Sequence, residues 1–158
     1  MDIQLQIKET ALNMLARREH SQFELKQKLI ARYKENVIEI ESALFTLIED
    51  NYQSDQRFCE SFIRYRQRNG YGKMRILSEL KLKGVSPELI NQEFNAADID
   101  WFELALSLKV KKFGELVSKD YKTRSKQYRY LQYRGFTSEQ INYAIQEEFG
   151  DRDSNPFL

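Results

Sequence analysis

Three leucines, Leu29, Leu80 and Leu131, stand fifty-one residues apart, and Gly84 and Ile90 recur at the same interval as Gly135 and Ile141. A fixed period of this length marks stacked helical units, each too small to bury its apolar face alone. The first unit keeps the register less closely, with Tyr33 where the later units carry glycine. We therefore expect an all-α fold, an elongated curved array of three tandem three-helix repeats. Their expected bounds are 1–53, 54–98 and 99–150, and 151–158 is expected to be a frayed tail.

Local signals place three helices in each unit. In the first, Ile7, Ala11, Leu12, Met14 and Leu15 fall at helical spacing, and Ser21-Gln-Phe-Glu24 reads as a capping box opening a second helix. Phe23, Leu25, Leu29 and Ile30 follow, and a third helix runs from about Val37 to Glu49 through Ile40, Ala43, Leu44 and Leu47. In the second unit Ser54 or Asp55 can cap a helix whose Phe58, Phe62 and Tyr65 form a packing stripe beside basic Arg57, Arg64 and Arg68. Asn69-Gly-Tyr-Gly72 ends it. The helix Lys73 to Lys83 buries Ile76, Leu77 and Leu80. Gly84 suits the left-handed position after it, and Ser86-Pro87 starts the next helix, where Leu89, Ile90 and Phe94 face inward.

The third unit opens after Asp98–Asp100. Trp101, Leu104, Ala105 and Leu108 lead a helix that turns basic at Lys109, Lys111 and Lys112. A looser stretch from Gly114 to Tyr121 precedes a helix ending at Arg134 and Gly135. Thr137-Ser-Glu-Gln140 is a second capping box, before a last helix carrying Ile141, Ala144, Ile145 and Phe149.

Composition excludes most chemistry. The 158 residues contain one histidine, His20, and one cysteine, Cys59. Histidine-based catalysis, cysteine zinc sites and disulfide frameworks therefore lack material, and a reducing, cytoplasmic setting is expected. His20 reads as a helix-junction residue and Cys59 as a small core residue. The residues MDIQLQIKET lack the basic start and apolar core of a signal peptide, and no window reaches membrane-span length, so neither a signal peptide nor a membrane span is expected. Gly70-Tyr-Gly72 lacks the preceding strand and the Gly-Lys-Ser/Thr ending of a phosphate loop, and serves better as a helix terminator. The acidic pairs Glu49-Asp50 and Glu147-Glu148 read as solvated faces. We expect no catalytic residue, metal or cofactor.

Charge is the remaining signal. Seven of the eight charged residues from Arg64 to Lys83 are basic, whereas all six from Glu35 to Asp55 are acidic, so the net charge of +1 conceals local polyelectrolyte character. With Ile76, Leu77 and Leu80 inward, Arg75, Ser78 and Leu82 point outward. Fifty-one residues on, Lys126, Arg129 and Tyr133 occupy the same side, and the first unit has Glu24, Gln27 and Ala31 there. Cations with an apolar or aromatic companion suit a phosphate-bearing or protein partner. Arg57, Arg64, Arg68, Lys73, Arg75, Leu82, Lys126, Arg129 and Tyr133 are the candidate binding residues.

An ordered set of short segments resembles the bacterial RecX family. It comprises Arg18-Glu-His-Ser21 with Glu24-Leu25, Asp55-Gln-Arg-Phe58, Arg66-Gln-Arg-Asn-Gly70-Tyr-Gly72, Ile76, Glu79-Leu80, Lys83-Gly84-Val85-Ser86, Ile99-Asp-Trp101 and Tyr133-Arg-Gly135-Phe136. Asn51-Tyr-Gln-Ser-Asp55 departs from the family's usual Gly-Tyr-Leu-Asp-Asp-like sequence. The resemblance implies a non-enzymatic regulator that binds the RecA recombinase and its filament on single-stranded DNA. Such a regulator restrains strand exchange, ATP hydrolysis and co-protease activity. A monomer with weak single- or double-stranded DNA contact is expected, and the alternative is a helical-repeat protein that binds DNA without a RecA partner.

Overall fold

The computed structural model describes residues 2–146, so Phe149, the Glu147-Glu148 pair and the 151–158 tail lie outside the described residues. Those residues form nine helices and no strand: α1 (Ile3–Arg17), α2 (Gln22–Arg32), α3 (Val37–Glu49), α4 (Asp55–Arg68), α5 (Lys73–Leu82), α6 (Pro87–Ala97), α7 (Trp101–Phe113), α8 (Tyr121–Arg134) and α9 (Ser138–Gln146). They divide into two compact units. One holds the described residues up to Arg64 together with Glu79–Ala97, and the other holds Tyr65–Ser78 together with the described residues from Asp98 onward. The division passes through α4 and α5, so each of these helices serves both units.

In the first unit α1 and α2 pack on α3. Ile7, Ala11, Leu25, Leu29, Ile40, Ala43, Leu44 and Leu47 form a core in which every side chain is at most 1% exposed. Ser21 caps α2 by accepting the Glu24 N–H at 3.1 Å. The reciprocal half of that box does not form. Glu24, expected outward, is only 8% exposed, and its carboxylate accepts instead from Arg18 at 2.6 Å and Lys83 at 3.0 Å. Two charge-assisted bonds outweigh one cap bond to a backbone N–H. Ser54 supplies the α4 cap, accepting the Arg57 N–H at 3.1 Å. Asp55 accepts the Gln22 N–H at 2.7 Å and so ties the start of α2 to the start of α4. Gly84 takes its expected left-handed conformation, φ +76°, and Ser86 caps α6 through the Leu89 N–H.

In the second unit α7 and α8 pack on α9. Ala105, Leu106, Leu131, Phe136, Ile141, Ala144 and Ile145 are buried there. Here the capping box closes in both directions: Gln140 N–H donates to the Thr137 hydroxyl at 3.2 Å, and Thr137 N–H donates to the Gln140 side chain at 3.0 Å. Lys109 differs from its expected place in a basic surface run. It is fully buried, its stem lies in the interior, and its ammonium donates to the Gly114 and Leu116 carbonyls at 2.9 Å each. A lysine stem is long enough to do both. Tyr65, expected in the packing stripe, is 57% exposed. At about 100° per residue, the buried Phe58, Cys59 and Ile63 centre the packed arc of α4 roughly 100° away from Tyr65, which therefore lies off it.

Candidate interaction surface

The second unit is built around a backbone-to-backbone joint. Gly72 N–H donates to the Arg134 carbonyl at 2.7 Å and Met74 N–H to the Gly135 carbonyl at 3.1 Å, so the start of α5 seals the end of α8. A Cβ on Gly72 would sit 2.5 Å from the Gly135 carbonyl group, and a Cβ on Gly135 would sit 2.4 Å from the Arg75 Cβ. Gly72 is therefore more than a helix terminator, because only a residue without a side chain permits the approach. The first unit carries the same joint fifty-one residues earlier in a looser form. There the Ser21 hydroxyl donates to the Lys83 carbonyl at 2.7 Å, and the backbone of Gly84 lies against Phe23. A side-chain bond in the first unit is replaced by a main-chain bond in the second.

The charges at the two joints differ in kind. In the first unit Glu24 neutralises Lys83 and Arg18. The residues fifty-one positions after Glu24, Lys83 and His20 are Arg75, Arg134 and Tyr71. The Tyr71 ring lies under three guanidinium groups, with Arg66 at 4.0 Å, Arg75 at 4.5 Å and Arg134 at 4.6 Å from its centroid. The π face attracts each cation by about 0.5–2 kcal/mol. Crossed hydrogen bonds fix two of them: Arg75 donates to the Tyr133 carbonyl at 3.2 Å and Arg134 to the Asn69 carbonyl at 2.9 Å. Both carbonyls close a helix C-terminus, where positive charge is favoured.

Cations and rings alternate outward from this centre. Arg75 also lies 5.0 Å from the Tyr133 ring, Arg134 lies 5.5 Å from the Tyr130 ring, and Lys112 lies 4.9 Å from the same Tyr130 ring. Phe113 backs Tyr130 edge-on, with ring centroids 5.5 Å apart. Tyr133 is 74% exposed, and Lys126 and Arg129 continue its face along α8 as exposed cations. Lys112, Tyr130, Arg134, Tyr71, Arg75 and Tyr133 thus form a ladder. It offers several positive charges and at least one open ring, the combination that tracks a single strand of nucleic acid or an acidic protein surface.

Of the residues expected from the sequence, the second unit brings Arg75 and Tyr133 into the ladder, places Lys126 and Arg129 beside it, and also contains Arg68 and Lys73. Leu82, 78% exposed, belongs to the first unit, as do Arg57 and Arg64. Arg57 is held by Glu19 at 3.1 Å and by the Tyr52 carbonyl, and Arg64 by Glu60 at 2.5 Å. Sequence reasoning did not single out Arg66, Tyr71, Lys112, Tyr130 and Arg134. The available signal was the register, which sets Tyr71 and Arg134 on the positions of His20 and Lys83.

Cys59 is buried, and burial, with help from Glu93 and Asp55, pushes its thiol up to about 12, so it stays protonated. No group of three or more His, Cys, Asp or Glu side chains able to hold a metal ion occurs among the described residues. No described helix is long and apolar enough to cross a membrane.

Comparison with known proteins agrees with this architecture. Residues 8–40, 54–92 and 98–145 match the first, second and third three-helix domains of RecX, respectively. The regulatory protein RecX of Vibrio vulnificus is 44% identical over 141 residues, covering 89% of this chain and 92% of its own. That of Pseudomonas savastanoi pv. phaseolicola is 36% identical over 151 residues, covering 96% and 97%. The crystal structure of RecX from Lactobacillus salivarius superposes with a TM-score of 0.74 at 22% identity, over 90% of this chain and 94% of that one. With three matched domains in tandem and relatives that align over nearly their whole length, the chain belongs to the RecX family of regulatory proteins.

Proposed function

We propose that the chain regulates the RecA recombinase by binding RecA and its filament on single-stranded DNA, mainly inhibiting recombination, ATP hydrolysis and co-protease activity. The ladder from Lys112 to Tyr133, extended by Lys126 and Arg129, is the contact surface. The observation that carries this reading is the Tyr71 ring under three guanidinium groups, because it concentrates positive charge at a rigid joint. The RecX relatives support RecA as the partner. The protein acts as a cytoplasmic monomer and carries no catalytic site.

The same ladder also suits a protein that binds DNA directly. Titration of the protein into RecA–single-stranded-DNA ATPase reactions, beside DNA binding without RecA at two salt concentrations, separates the two readings. Inhibition at low ratios to RecA, with weak binding to naked DNA, is the expected result. Tight DNA binding that falls steeply with salt and accounts for all inhibition by coating the DNA would overturn it.

A further inference from the structure

A second cationic feature lies in the first unit. A cavity of about 320 Å³, where the end of α1 meets α2, is lined by Met14, Arg17, Arg18, His20 and Lys28. Glu24 is already shared between Arg18 and Lys83, and it acts on Lys28 only through space. Lys28 has turned to an uncharged acceptor, its ammonium lying 3.0 Å from His20 Nε2. An ammonium can only donate, so Nε2 accepts and the ring is neutral. The proton then sits on Nδ1, which donates to the Arg18 carbonyl at 3.0 Å. Three cations thus line a space large enough for a tetrahedral oxyanion, and one of them bonds to an imidazole.

We propose that this cavity binds a phosphate group, held by Arg17, Arg18 and Lys28, with His20 as its proton-sensitive neighbour. A phosphate would supply the negative charge that Lys28 lacks and draw the ammonium away from Nε2. His20 would then gain a proton and a second donor. Burial lowers the affinity of the His20 ring for a proton, as do Arg18 and Lys28, while the Arg18 carbonyl and Glu24 act in the opposite sense. A bound anion reverses that balance, so phosphate binding raises the ring's affinity for a proton.

His20 is the only histidine in the chain, so its ring signals in NMR need no assignment by mutation. Inorganic phosphate titrated into the full chain, against chloride at matched ionic strength, should shift the His20 ring nitrogens saturably and raise the ring's pKa. Lys28→Gln and Arg17→Gln should each weaken phosphate binding by about tenfold, the loss of one charge-assisted contact, with helicity unchanged. A His20 response that follows ionic strength alone, or undiminished phosphate binding by Lys28→Gln, overturns the proposal. A short single-stranded oligonucleotide identifies the source. If it competes with phosphate the site takes a backbone phosphate, and if it does not the site takes free phosphate or a nucleotide; either result keeps the site.

Discussion

Replacing Gly72 by alanine tests the joint on which the ladder depends. The added methyl would lie 2.5 Å from the Gly135 carbonyl carbon and oxygen and 2.7 Å from the Phe136 nitrogen. All three are main-chain atoms, so no rotamer change relieves the clash and the two helix ends must separate. Overpacking of this kind costs about 1–3 kcal/mol. Separation also weakens the bonds from Gly72 N–H to Arg134 and from Met74 N–H to Gly135, worth about 1 kcal/mol each. The sum is about 3–5 kcal/mol, which at a urea slope near 2 kcal/mol/M lowers the unfolding midpoint by roughly 2 M. Urea denaturation followed by far-UV circular dichroism measures it. Serine at position 72 should be as damaging, although serine is the residue at the equivalent position 21, because there the hydroxyl itself spans the gap to Lys83. A Gly72→Ala protein within about 0.5 kcal/mol of wild type would refute the reasoning.

Two further predictions concern buried charge. Burial alone would push the Glu24 carboxyl up, but the bonds from Arg18 and Lys83 win and hold it at about 2, below its ordinary 4.5. A depressed folded value means that this stabilisation is complete above about 4.5 and is lost as pH falls from there toward about 2. It amounts to about 3 kcal/mol, so Glu24→Gln should flatten the acid side of the stability profile; an unchanged profile would show that other carboxylates govern it. Lys109→Met should leave the Gly114 and Leu116 carbonyls without their donor, cost about 2 kcal/mol, and speed proteolysis within residues 114–120. Equal stability with undiminished protection of that segment would contradict a loop-anchoring role.

What the sequence makes legible is what is decided locally. Helix limits at Arg68, Gly84, Pro87 and Gly135 follow from glycine, proline and capping residues within a few positions of the event they control. Glu24 and Lys109 were misplaced because their burial depends on partners that no helical period reports: Lys83, fifty-nine residues away, for one, and a loop carbonyl, Leu116, for the other. The ladder was legible only in part. Arg75 and Tyr133, with Lys126 and Arg129 beside them, follow from which face of α5 and α8 is apolar. Tyr71 and Arg134 do not, because the close approach at Gly72 brings them together. The fifty-one-residue register held that clue, since it pairs Gly72 with Ser21 and Gly135 with Gly84, and only the second joint lacks a side chain on both sides.

The most direct test of the proposed surface uses Lys126 and Arg129, which are exposed beside the ladder and lie outside the joint. The double variant Lys126→Glu with Arg129→Glu should unfold as wild type does. In RecA–single-stranded-DNA ATPase reactions it should require at least about tenfold more protein for half-inhibition, since reversed charges oppose the partner they formerly attracted. Inhibition by the double variant at wild-type concentrations would contradict the assignment of this face as the contact surface.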